Sequence, residues 1–180
     1  MMKRFLATFL FVLMTIVAIA QDSNTIKFLG IPVDGTKKEM ISKLLAKGYK
    51  FTAHSDNLFG EFNGTDVIIY VQTVNNRVWR IAIADANGND EADIKYRYNR
   101  LFEQLSNNGK YEVHSGSTLG EKDNISYGMT VLKKRYDAVF HLKDKSIHGR
   151  VWYTIDEEDG EYGIIMFYEN LDNEANGDDL

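Results

Sequence analysis

Tyr136-Asp137-Ala138-Val139-Phe140-His141-Leu142 opens three consecutive apolar segments, continued by residues 147–155 around Arg150-Val151-Trp152-Tyr153 and by Tyr162-Gly163-Ile164-Ile165-Met166-Phe167-Tyr168. Each is short, rich in β-branched and aromatic residues and bounded by turn residues, the pattern of a strand. If Asp144-Lys145 form a two-residue hairpin turn, Leu142 pairs with Ile147 and His141 lies opposite His148. Successive side chains then fall on opposite faces. One face takes Tyr136, Ala138, Phe140, Leu142, Val151, Tyr153 and Ile155. With Asp159-Gly160 as the next turn, Ile164, Met166 and Tyr168 join it, and this face is the expected core. The other face carries Asp137, Val139, His141, His148, Arg150, Trp152, Ile165 and Phe167. Trp, Phe and Arg among few charges is the composition enriched in interface cores. The candidate binding residues are therefore Trp152, Arg150, His141, His148 and Phe167. That face is either a partner or ligand surface, or is covered by the first half of the chain or by the loop expected over 115–132. A one-residue slip in register would exchange the two faces.

Upstream, the same kind of segment recurs behind a helix. Residues 26–31 read as a strand that ends at Pro32, the single proline. Thr36-Lys37-Lys38-Glu39 matches a capping box, in which the hydroxyl and the Glu each satisfy an unpaired backbone N–H. Met40, Ile41, Leu44 and Leu45 continue it as one apolar stripe, and Gly48 is placed to stop the helix. Strands are expected over 49–54, 58–62, 67–74 and 78–84, with Asn75-Asn76 as a tight turn. A second helix carries Ile94, Tyr98, Leu101, Phe102 and Leu105 at helical spacing and ends at Asn107-Asn108-Gly109.

The order helix then strands thus occurs twice. His54-Ser55 and His114-Ser115, Asp66-Val67-Ile68-Ile69 and Asp137-Ala138-Val139-Phe140, and Arg77-Val78-Trp79 and Arg150-Val151-Trp152 recur in the same order. The expected fold is α+β: two tandem helix-plus-antiparallel-sheet units, each a helix then three to four strands, with helices packed on sheet. The halves span about 26–88 and 89–170 of a single domain over 21–170. Residues 171–180 form an acidic tail, and fraying is expected from Glu169 onward.

Residues 1–20 read as a signal peptide: Lys3 and Arg4, an apolar run from Phe5, and Ala18-Ile19-Ala20 ahead of Gln21. The apolar run is shorter than the roughly 20 residues that span a bilayer as a helix. Removing this leader takes two of 21 basic and none of 26 acidic residues, leaving a net charge of −7. An acidic chain without a basic run is unsuited to nucleic acid or an anionic membrane. With no cysteine, burial alone must hold the fold, and neither disulfide nor lipid anchor is available.

Phe28-Leu29-Gly30-Ile31-Pro32-Val33-Asp34-Gly35-Thr36, behind a leader ending in Ala20-Gln21, resembles the start of small exported proteins of Bacteroidetes-type bacteria. The two-unit architecture is similar to the β-lactamase-inhibitor-protein fold, shared by an outer-membrane-assembly lipoprotein family. The resemblance implies an interaction module, because proteins of that fold mainly bind other proteins. The chain departs from the disulfide-stapled inhibitors and from the lipoproteins in having no cysteine.

Catalytic motifs are absent. His54 and His114 are each followed by serine, but strand neighbours point to opposite faces and do not form a catalytic pair. A His141–His148 pair would supply two ligands where zinc wants three or four. Asp85-Ala86-Asn87-Gly88-Asn89-Asp90 alternates oxygen ligands but lacks the calcium loop's glycine and glutamate, and reads as a turn with an N-cap. Asp156-Glu157-Glu158-Asp159 brackets a turn, and nothing suggests glycoside hydrolysis. Asn63-Gly64-Thr65 and Asn124-Ile125-Ser126 fit the glycosylation pattern. The expectation is an exported, non-enzymatic protein, periplasmic or secreted, without cofactor or metal, whose partner is another protein of the envelope or exterior. A small-ligand carrier with its site between the halves, or a hydrolase, are the alternatives.

Overall fold

A computed structural model describes residues 25–174. The expected leader and the end of the acidic tail, 175–180, lie outside the described residues. A hairpin of β1 (Lys27–Phe28) and β2 (Ile31–Pro32) leads into helix α1 (Lys37–Ala46). Four strands follow: β3 (Lys50–Phe51), β4 (Leu58–Phe62), β5 (Thr65–Val74) and β6 (Arg77–Asp85). Helix α2 (Glu91–Ser106), strand β7 (Tyr111–Ser115) and helix α3 (Ile125–Thr130) come next. The chain closes with β8 (Asp137–Leu142), β9 (Gly149–Glu158), β10 (Glu161–Asn170) and a 3₁₀ turn over Leu171–Asn173.

The expectation of two tandem helix-plus-sheet units is overturned. Eight strands form one continuous antiparallel sheet in the order β3-β4-β5-β6-β10-β9-β8-β7, beside a separate two-stranded sheet, and the described residues hold three helices. Strand dominates. The recurring peptides also fall on unlike strands: Arg77-Val78-Trp79 starts β6, whereas Arg150-Val151-Trp152 lies in β9. Asp66–Ile69 belongs to β5 and Asp137–Phe140 to β8, and His54 sits in a turn with φ 61° while His114 is in β7. The likeness comes from the limited vocabulary of half-buried strands, which reuse Val, Ile and Trp at alternate positions.

Local chemistry explains most of the elements. Thr36 and Glu39 close the capping box, Glu39 N–H to Thr36 Oγ1 at 3.3 Å and Thr36 N–H to Glu39 Oε2 at 2.9 Å. Asp90 caps α2 by accepting from the Ala92 and Asp93 N–H groups, which is how the Asp85–Asp90 segment is used. Four two-residue turns among the described residues have both residues at positive φ, the hairpin geometry that matches strand twist: Leu29-Gly30, Asn63-Gly64, Asn75-Asn76 and Asp159-Gly160. Residues 26–31, expected as one strand, instead fold back at Leu29 and Gly30, both at positive φ.

Both helix stripes, with the β1–β2 hairpin, cover one face of the sheet. Met40 and Leu44 of α1 and Ile94, Tyr98, Leu101 and Leu105 of α2 share a core with Ile69, Ile81, Phe140, Val151 and Tyr153. Each large side chain buried there contributes about 1.5–3 kcal/mol relative to exposure. The loop expected over 115–132 contains α3, missed because its six residues, Ile-Ser-Tyr-Gly-Met-Thr, are too few to show a period. Gly128 of α3 lies directly against the Tyr136 ring and hydroxyl, where a Cβ would collide. This places α3 on the covered face and leaves the other free. Fraying from Glu169 onward is also corrected, since Glu169 and Asn170 are buried in β10.

Candidate binding face

The opposite face of the sheet is covered by no helix among the described residues. Its chemistry follows from strand register. Phe167 pairs with Trp152 on one side and Ala82 on the other, Ala82 pairs with Tyr70, and Trp152 with Val139. One row across five strands is therefore Tyr70, Ala82, Phe167, Trp152, Val139, all projecting from the same face. Trp152 and Phe167 stack with ring centroids 4.1 Å apart and planes 17° from parallel. The Trp152 indole N–H is shielded and has no hydrogen-bond acceptor among the described residues.

The neighbouring row is polar. Glu169 pairs in register with Arg80 on β6 and Arg150 on β9. Its carboxylate is fully buried, bonded to Arg150 Nε and lying 2.5 Å from Arg80 Nη2. Two guanidiniums around one carboxylate leave one positive charge over, and Arg80 spends part of it on aromatic faces. Its guanidinium carbon sits 3.9 Å from the Trp79 ring centre and 5.1 Å from that of Phe167. Trp79 is the extra residue of a bulge, since Gln72 pairs with Arg80 and Thr73 with Val78. Such bulges re-aim a side chain.

A second bulge works the same way at the far edge. Val113 pairs with Phe140 and Ser115 with Val139, leaving His114 between them, and its ring stacks on His141 at 4.3 Å. Burial and then the charges of His114, Lys145 and Arg150 lower the pKa of His141, against a smaller opposing pull from Glu112.

Of the five expected site residues, Trp152, Phe167, Arg150 and His141 lie together on this face. His148 does not. His141 pairs with Arg150, not His148, so the expected cross-strand imidazole pair is not formed. The cause is the turn. Asp144 Oδ1 accepts from Ser146 N–H at 3.0 Å and from Ser146 Oγ at 2.7 Å, an Asx turn that holds residues 143–148 as a loop. The register is therefore two residues from the expected one, an even shift that preserves the facing of every side chain. His148 instead meets Asp172 at 2.9 Å, although both histidines border one shallow depression of about 380 Å³. No group of three or more His, Asp or Glu is arranged to hold a metal ion among the described residues.

Sequence reasoning missed the first half's share of the face: Ile68, Tyr70, Arg80, Ala82 and Ala84. They belong here because β6 and β10 pair at the centre of the sheet. It also missed Arg97 and Asp85, which hold the central strands from behind. Arg97 Nε donates to Asp85 Oδ2 at 2.6 Å and Nη1 to Thr65 Oγ1 at 2.7 Å. Asp85 also accepts from Ile164 N–H at 3.0 Å. An apolar stripe hides a buried Arg at its margin, so only the i, i+3, i+4 position next to Ile94 and Tyr98 hinted at it.

No family model, curated protein or solved structure matches the chain.

Proposed function

We propose that this chain is an exported, non-enzymatic binding protein that captures another protein on the open face of its sheet. The observation that carries the reading is the stacked Trp152–Phe167 pair at the middle of an uncovered, continuous sheet face. Large rigid aromatics with Arg beside them are where binding energy concentrates. A rigid sheet holds them in place, so little ordering cost falls on association. Export rests on the leader-like residues 1–20.

The test is affinity capture from the envelope fraction of the native cell, with the chain from Gln21 onward as bait and its Trp152→Ala variant as control. A protein held by the first and lost from the second is the expected result. Capture that is indifferent to Trp152 removes this face from consideration, provided the variant's thermal melt shows it folded.

A further inference from the structure

Strands β5, β6, β10 and β9 enclose a depression of about 710 Å³ on the open face, beginning at Phe167 and running away from Trp152. Small residues make it: Ala82, Ala84 and Gly163 line it, while Ile68, Tyr70 and Phe167 supply its larger apolar walls. The β9–β10 hairpin supplies the lip, with Asp156, Glu158, Asp159 and Glu161. No Lys or Arg lines it.

Charge balance separates this lip from the rest of the face. Glu169 is met by Arg80 and Arg150, and Asp85, which also reaches the depression, is met by Arg97. None of the four lip carboxylates has a salt-bridge partner among the described residues. An apolar pocket with uncompensated negative charge at one side favours an occupant that is apolar at its tip and cationic next to it. A second copy docking through this same face would bring the same four carboxylates and is repelled. Nucleic acid and anionic lipid are repelled for the same reason.

Building on the binding-protein reading, we propose that this depression receives a basic segment of the partner protein. An apolar or aromatic side chain enters between Tyr70 and Phe167, and an adjacent Lys or Arg meets the carboxylates of the β9–β10 hairpin. Trp152, on the other flank of Phe167, then packs against the segment beside the inserted side chain.

Three end-blocked hexapeptides test it against the isotope-labelled chain from Gln21 onward, followed by amide chemical shifts: alternating Lys-Phe, alternating Glu-Phe and alternating Lys-Ser. The Lys-Phe peptide should move the amides of Ala82, Ala84 and Gly163 and bind at least about tenfold more tightly than either control. Raising salt from about 0.05 to about 0.5 M should weaken it severalfold, because exposed charges are screened within roughly 5 Å at the higher value. The combined Asp156→Asn, Glu158→Gln and Glu161→Gln variant, near-isosteric and at the surface, should weaken it by roughly tenfold, a few tenths to one kcal/mol per exposed pair. Equal binding of the Glu-Phe peptide, shifts confined to another surface, or indifference to the triple variant overturns the proposal. The two readings fail separately. Protein capture that depends on Trp152 but ignores these carboxylates retains the binding face and removes the basic segment. Selective Lys-Phe binding at the depression without any Trp152-dependent capture does the reverse.

Discussion

Replacing Asp85 with Ala should be among the most damaging single changes in this protein, although Asp85 looks from the sequence like a turn residue. Its side chain is 2% exposed and that of Arg97 10%. Asp85 takes two bonds from the guanidinium and one from the Ile164 N–H, while Arg97 also reaches Thr65. The pair therefore ties α2 to β5, β6 and β10. Removing the carboxylate leaves a buried guanidinium with one neutral acceptor and a strand N–H with none. Breaking a buried pair from one side costs about 3–5 kcal/mol. For a chain of this size each kcal/mol lowers the melting temperature by about 2–4 °C, so a fall of roughly 6–20 °C is expected. Urea unfolding followed by circular dichroism measures the cost, with an unchanged slope as the check that the end states are the same. Arg97→Met should cost a similar amount by stranding the carboxylate. The double variant Asp85→Leu with Arg97→Met should recover most of the loss, because apolar replacements of a buried pair are often neutral. Simple additivity, with a coupling below about 0.5 kcal/mol, would show that the two groups do not depend on one another.

Two further outcomes are expected. The folded-state pKa of His141 is lowered by burial and by His114, Lys145 and Arg150, so on acidification the unfolded chain takes up this proton first. Stability from His141 is then fully present above its ordinary value of 6.5 and lost as pH falls below it, and His141→Gln should flatten the urea midpoint between about pH 7 and 5.5. Glu169→Ala leaves Arg80 and Arg150 facing one another without a counter-charge and should cost about 3 kcal/mol. Glu169→Gln, which fills the space and keeps one acceptor oxygen but turns an amide NH2 toward the other guanidinium, should cost somewhat less by the same urea measurement.

What could be read in the sequence divides along the range of the interaction. The capping box at Thr36, the stop at Gly48, the Asn75-Asn76 and Asp159-Gly160 turns and the alternation in β8 to β10 are local, and each stood as read. The facing of Trp152, Phe167 and Arg150 survived a wrong turn because the error was two residues and side chains repeat every two. The His141–His148 pairing did not survive it, since partners depend on the register itself and an Asx turn at Asp144 reset it. Long-range information was illegible. Nothing between Asp85 and Glu161 announces that β6 pairs with β10, so the sequence reads as two sheets and does not join Ile68, Tyr70, Ala82 and Ala84 to the face. Bulges are equally silent: Trp79 and His114 reach their positions by breaking the alternation on which strand reading depends.

Placing β10 beside β6 has a consequence for how the molecule comes into being. Chain emerges N-terminus first, from the ribosome and from any export channel, and residues 161–170 are the last of this sheet's eight described strands to arrive. Until they do, β6 and β9 each present a bare row of N–H and C=O groups and Asp85 lacks the Ile164 N–H that completes its set of donors. The centre of the sheet is thus completed by its final piece. Closure waits until Asn170 has emerged, as slow, long-range pairing requires. An intermediate stalled before Glu161 exposes two long strand edges and the aromatic face together, the state most open to aggregation and most in need of a chaperone.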